Sequence, residues 1–296
     1  MKKYCRTDLA CEAADDLAHV AGTEYRIEDK EICIIEKLDV ISKDAARVLE
    51  KKTGRYITVS MPRLQYLDDA EVEELADIIS CEISSIICRA VKKNAFYPEL
   101  SVMVVGLGNS KITADAIGPE TVDRITVTRH IKERDLNIFN ALKTCTISAL
   151  SPNVLGKTGI ESSDIIKAAV QSTRPDIVIV LDALAARSVE RLARTVQISD
   201  TGITPGAGIG NHRSEISLQT LNVPVIAIGI PTVVDSAVLA FETLNNAGIS
   251  PIPQAIIDKL DSIDNFFVTL KETDVIIEKS ASLLSKALMK AFVISE

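Results

Sequence analysis

The chain lacks any apolar run long enough to cross a bilayer. Its longest, "VPVIAIGI" at 223–230, falls far short of the roughly 20 residues a spanning helix needs. No apolar block follows the two lysines of "MKKYCRTDLACEAADDLAH", so no secretory signal is read and cytoplasmic residence is expected. Positive charge is scarce, with 33 Lys and Arg against 41 Asp and Glu and a net charge of −8. That balance disfavours direct nucleic-acid binding, which depends on releasing counterions from a basic surface. The six cysteines contain no C-x-x-C pair, so the spacing of a structural zinc site is missing. Only three histidines are present, His19, His130 and His212, and a nucleophilic cysteine needs a partnered base. There is no H-E-x-x-H, which excludes zincin chemistry, no Walker lysine pattern and no internal repeat.

What is present is ordinary globular material, 47% apolar and 25% charged over 296 residues, enough to bury a large core. From 24 to 61 the sequence predicts short strands ("EYRIED", "EICIIEKLDV", "GRYITVSM") around one helix, "SKDAARVLEKKTG", capped at Gly54. Residues 68–94 place acids first, apolar residues at helical spacing and basic residues last, which predicts a long amphipathic helix. Cys81 and Cys88 lie seven apart within it and are expected on a shared buried face. From 101 onward, strand-like runs alternate with helical patterns, and two closing segments, 251–262 and 277–293, read as helices. Runs apolar on both faces with helices between them predict an α/β fold with a mostly parallel sheet covered on both sides.

In such sheets the working residues gather beyond the carboxyl ends of the strands. One candidate is "VVGLGNSKITADAIGPE" (104–120), where a strand ends in Gly106-Leu107-Gly108-Asn109 and a loop carries Asp115. The dinucleotide fingerprint fails there, because Lys111 stands where its third glycine belongs. The second is "DIVIVLDALAARSVER" (176–191), in which Asp182 follows an apolar run and is read either as a helix N-cap or as a crevice acid. Two carboxylates in one crevice can share a proton, one activating water while the other donates to a carbonyl or leaving nitrogen; together with a histidine they could instead bind a metal. The glycine-rich stretch 200–217 ends in His212-Arg213, suited to an acidic side chain, with Arg187 and Arg129-His130 as weaker candidates.

These segments, together with "RTDLACEA", "GRYITV", "SPNVLGKTGIESSDI" and "PVIAIGIPTVVDS", resemble the germination proteases of endospore-forming bacteria, in order from residue 6 to about 236. The resemblance extends distantly to the hydrogenase-maturation endopeptidases. It implies a maturation-peptidase-like core over 99–296, an N-terminal α+β segment over 9–98 packed on that core, and a propeptide over 1–8. It implies an endopeptidase of the spore core that starts the breakdown of small acid-soluble spore proteins, a homotetramer with no cofactor or metal, made as a zymogen that cuts itself.

The family's preference, an acid before the bond, a hydrophobic residue after it and then Ala, places the cut between Asp8 and Leu9. The resemblance also implies an acid four residues before the bond, where Cys5 stands. The two essential aspartates carry over to Asp115 and Asp182, with Ala114 where the family has proline, and Gly106, Gly108, Asn109, Arg187, His212 and Arg213 become candidates for substrate binding. The leader is expected to block the crevice as a substrate-like strand. The alternatives are a metal-dependent maturation endopeptidase and a non-catalytic binder of spore proteins.

Overall fold

A computed structural model describes residues 7–15, 20–91, 100–207, 213–249, 251–262 and 266–293. Among the described residues nine strands form one sheet: β1 Thr23–Asp29, β2 Ile34–Val40, β3 Gly54–Ser60, β4 Ser101–Gly106, β5 Thr146–Leu150, β6 Ile177–Ala186, β7 Thr195–Ser199, β8 Val225–Asp235 and β9 Phe267–Val268. Their order is β1-β2-β3-β7-β8-β6-β4-β5, with β9 beside the end of β8. The expected parallel sheet is one half of it, β5-β4-β6-β8, with β5 at the edge. The first three strands continue the same sheet through β7, with every pairing on that side antiparallel.

Side-chain alternation sorts the central strands into two faces. Ile177, Ile179 and Leu181 of β6 join Ile226, Ile228 and Ile230 of β8, Val196 and Ile198 of β7, and Ile57 and Val59 of β3 in one cluster. The helices Asp69–Val91 and Thr273–Phe292 cover that face. The alternate residues Val178 and Val180 turn to the other face, where Ile166 and Val170 of the Ser162–Thr173 helix pack on them. Nearly all of these side chains are fully buried. At roughly 1.5–3 kcal/mol for each large apolar side chain removed from water, they are the main favourable contribution to the fold.

Local expectations fail in instructive places. The helix expected to reach Gly54 ends at Leu49, and Glu50 caps it in the left-handed conformation at φ 53°. Gly54 instead opens β3. Ser42 starts this helix by accepting the Ala45 N–H, an N-terminal cap of the usual kind. The long helix runs over Asp69–Val91, begun by Asp68, which accepts the N–H groups of Ala70 and Glu71 while Glu71 accepts that of Asp68. Cys81 on that helix is exposed and Cys88 half-buried: a separation of seven does keep them on one side, but the core-facing stripe is that of Leu75, Ile79, Ile83, Ile86 and Ile87. Between β4 and β5 the helical pattern is split into Ile117–Val122, Arg129–Arg134 and Leu136–Ala141.

The largest departure concerns Asp182. It neither caps a helix nor ends a strand, because β6 runs on to Ala186. The neighbouring β4 stops at Gly106, opposite Leu181, whereas β8 accompanies β6 to its end. Asp182 is therefore the first β6 residue beyond the carboxyl edge of β4 while still held in a ladder on its other side.

Candidate active site

The row of the sheet containing Asp182 is unlike the rows around it. Asp182 on β6 pairs with Gly229 on β8, Gly229 with Gln197 on β7, and Gln197 with Thr58 on β3. Residues paired across strands point to the same face, and this one is opposite the main apolar cluster. Gly229 has no side chain and Leu184 takes the space a Cβ there would need, so Asp182 and Gln197, two strand spacings or about 10 Å apart, stand on either side of a glycine.

Residues 7–9 lie against this row and run into a short helix, Ala10–Asp15, so the substrate-like strand expected of the leader is instead a bend at Asp8 followed by a helix. The Asp8 N–H donates to Ala185 O (3.0 Å), and the Asp8 carboxylate accepts the Ala185 N–H at 2.8 Å. The Asp8 carbonyl accepts from Gln197 Nε2 at 2.9 Å and from Lys51 Nζ at 3.0 Å. Leu9 and Ala10 are both 0% exposed. Leu9 enters a cluster with Leu184, Ala186, Leu192 and Val234, and Ala10 one with Leu38, Val40, Leu49 and Tyr56. Glu12, 2% exposed, accepts the N–H groups of Arg187 and Ser188, each at 2.9 Å, and the Thr7 hydroxyl.

Asp8, Asp115 and Asp182 line one cavity of about 410 Å³, together with Gly108, Glu161 and Arg213. Asp115 is held from below by the glycine loop. At Gly108, φ is +112° and an added Cβ would lie 2.0 Å from Asp115 O, so only glycine lets the loop close there. Closure brings the Asn109 N–H to the Asp115 carboxylate at 2.9 Å and to its carbonyl at 3.1 Å. Gly106 performs a similar service, since a Cβ there would lie 2.3 Å from Gly118 O. The far end of the loop is tied to β8 by the Thr232 hydroxyl, which donates to Ala114 O at 2.7 Å.

The electrostatics separate the two carboxyls. Burial pushes Asp182 (7% exposed) well above the ordinary carboxylate range, and the negative charges of Asp115 and Asp8 push it further. Asp115 is raised too, chiefly by burial, but the Asn109 N–H and the Arg213 guanidinium oppose the rise. The buried thiols are unsuited to nucleophilic duty: burial lifts Cys11 and Cys33 to about 11 and Cys145 to about 12.

Of the candidates read from the sequence, Asp8, Gly108, Asp115, Asp182 and Arg213 meet at this cavity. Gly106 and Asn109 stand behind it and shape the loop. The Arg187 side chain turns instead to Glu242, with Nε 3.5 Å from Oε1, and it is the main-chain N–H of Arg187 that meets the leader. His212, His19 and Cys5 lie outside the described residues. The acid that the structure binds near the Asp8–Leu9 peptide is Glu12, four residues after it. Sequence reasoning missed Glu12, Glu161, Lys51 and Gln197. An acid at a fixed distance from Asp8 could have drawn attention to Glu12; Lys51 and Gln197 carry no local signal. Among the described residues, no group of three or more His, Cys, Asp or Glu side chains is disposed to hold a metal ion.

The germination protease family model matches residues 5–247. The chain belongs to the germination protease family. A germination protease of Clostridium perfringens (strain 13 / Type A) is 36% identical over 294 residues, covering 97% of this chain and 86% of the relative. One from Clostridium acetobutylicum is 40% identical over 249 residues, covering 81% and 73%. One from Caldanaerobacter subterraneus subsp. tengcongensis is 36% identical over 308 residues, covering 96% and 92%. Among solved structures, the [NiFe] hydrogenase maturation protease HycI from Thermococcus kodakarensis KOD1 is similar at a TM-score of 0.36 and 16% identity, covering 66% of this chain and 96% of that one. Membership makes this germination protease relative an endopeptidase. Among its described residues no helix is long and apolar enough to cross a membrane.

Proposed function

We propose that this endopeptidase cleaves peptide bonds with Asp115 and Asp182, and that it first cuts its own chain between Asp8 and Leu9. The observation that carries the reading is the seating of Asp8 against Ala185 of β6, two residues ahead of the helix Ala10–Asp15, with Asp8 in the cavity of the two aspartates. Asp115, steadied by Asn109 and Arg213, acts as the base that takes a proton from water. Asp182, kept protonated by burial and by its two acidic neighbours, acts as the acid. An acidic residue docked before the bond adds to the field that holds the proton on Asp182.

The same seating supports the cleavage preference. The Ala185 N–H meets the acid before the bond, the Leu9 cluster takes a hydrophobic residue after it, and the closed space around Ala10 admits only a small one. A Glu four residues after the bond is received by two main-chain N–H groups. Small acid-soluble spore proteins carrying such a segment are the proposed substrates, and the uncut leader holds the crevice against them. The active form is proposed to be a homotetramer in the spore core, checked by sedimentation of the purified protein.

The direct test is mass spectrometry of the purified chain and of Asp182→Asn and Asp8→Ala. The unsubstituted chain should lose its first eight residues and both variants should stay intact. Cutting of Asp182→Asn at the normal rate would reject the aspartate pair. Activity on a spore protein that vanishes on chelation and returns with nickel or zinc would favour metal-dependent chemistry instead.

A further inference from the structure

The side of the leader facing away from the aspartates is also equipped for chemistry. Lys51 follows the left-handed Glu50 cap, and its N–H donates back to Ala46 O at 3.1 Å. This turn sends the ammonium beneath the leader, where it reaches Thr7 O at 3.2 Å and Asp8 O at 3.0 Å. Burial lowers the pKa of this ammonium, while the Asp8 carboxylate opposes that effect.

Gln197, on β7, spans the Asp8–Leu9 peptide. Its Oε1 accepts the Ala10 N–H and its Nε2 donates to Asp8 O at 2.9 Å. The two partners fix the amide's orientation, since a main-chain N–H only donates and a carbonyl only accepts. Two donors of different kinds thus converge on a single carbonyl oxygen, each within the range in which an oxyanion is stabilised. Between them and Asp182, Gly229 leaves room for Leu184, whose Cγ would lie 2.5 Å from an added Cβ.

We propose that Lys51 Nζ and Gln197 Nε2 form the oxyanion site of this protease. This rests on the reading that the Asp8–Leu9 bond is the one cut. Water adds to the Asp8 carbonyl carbon and gives its proton to Asp115, and the negative charge that develops on the Asp8 oxygen is met by the two donors. With that oxygen already served, the Asp182 proton goes to the Leu9 nitrogen as the C–N bond breaks, leaving an amine at Leu9 and a new carboxylic acid at Asp8, whose proton returns to Asp182 while Asp115 releases its own to solvent. The groups act on the main chain alone, so they serve any substrate seated as the leader is.

The test uses the full chain, with intact mass giving the first-order rate of self-cleavage in Lys51→Met and Gln197→Met. Each substitution is introduced again beside Asp182→Asn, so that docking of the uncut leader can be followed by hydrogen exchange at the Asp8 amide. Loss of one such donor slows reaction by about 10²–10³-fold. That slowing, with exchange protection at Asp8 retained, is the expected result. Rates within about threefold of the unsubstituted chain would overturn the proposal, as would slowing accompanied by loss of protection, which would make both residues mere anchors of the leader. Failure of the aspartate reading looks different: Asp182→Asn alone would then cut normally, whatever the Lys51 and Gln197 variants do.

Discussion

On the two sides of the Asp8–Leu9 peptide the sheet offers opposite chemistry. Towards β4 stand two carboxyls, one on a glycine-supported loop and one within a strand. Towards β3 stand an ammonium and an amide, both aimed at the Asp8 carbonyl. The first side belongs to the parallel part of the sheet and the second to its antiparallel extension, and β8 with its bare Gly229 runs between them. On the proposed reading, proton transfer and charge stabilisation come from different parts of the chain, and the N-terminal strands complete the site.

The sharpest break of this division is Asp182→Asn. Removing a positioned acid lowers the rate by about 10²–10⁴-fold, read as the first-order appearance of the Leu9-initiated chain by mass spectrometry. Next is Ala10→Leu, which forces extra volume into a fully closed site between the two sides. Overpacking of this kind costs about 1–3 kcal/mol, so self-cleavage should slow roughly ten- to hundredfold; an unchanged rate would show that the leader is cut in some other seating. Smaller again is Glu12→Gln, which leaves one oxygen for the two N–H groups of Arg187 and Ser188. A loss of about 1 kcal/mol, or roughly fivefold, is expected in the fraction of leader protected from exchange.

The mildest effect is on stability against pH. Asp182 has its folded-state pKa raised above the ordinary 3.8, so the folded chain binds the proton more tightly than the unfolded one. Its contribution is fully present below about 3.8 and is lost as pH rises through the folded value. The melting temperature of Asp182→Asn should therefore gain on that of the unsubstituted chain as pH is raised through this window. Self-cleavage should decline over the same rise, because the acid loses its proton. A rate that rises as Asp182 ionises would reverse the assigned roles.

Much of the fold was legible beforehand. The alternation of apolar strands with helices over 101–246 and the long helix from 69 follow from local periodicity, which is a property of neighbouring residues. The pairing of Asp115 with Asp182 was legible as a candidate because each was read at the carboxyl end of a strand, where working residues of α/β sheets gather. The cap at Glu50 was not legible, since a non-glycine residue can hold φ 53° when the packing of the helix and of β3 requires it. Nor was the continuation of β6 past Asp182: whether a strand goes on depends on whether a neighbour goes with it, and here β8 does so where β4 does not.

By itself, the sequence determined the inventory: which segments form strands, which bury both faces, where a glycine loop can turn, and that an acid, a leucine and an alanine stand together near residue 8. Only the tertiary structure decided who meets them. Lys51 and Gln197 are 146 positions apart and belong to unrelated local patterns. They converge on one carbonyl because the antiparallel join of β3 to β7 sets the register of the row that contains Gln197, and because the turn after residue 49 points Lys51 at the carbonyls of Thr7 and Asp8. Register and convergence arise from pairing between distant segments, and no stretch of chain read alone contains them.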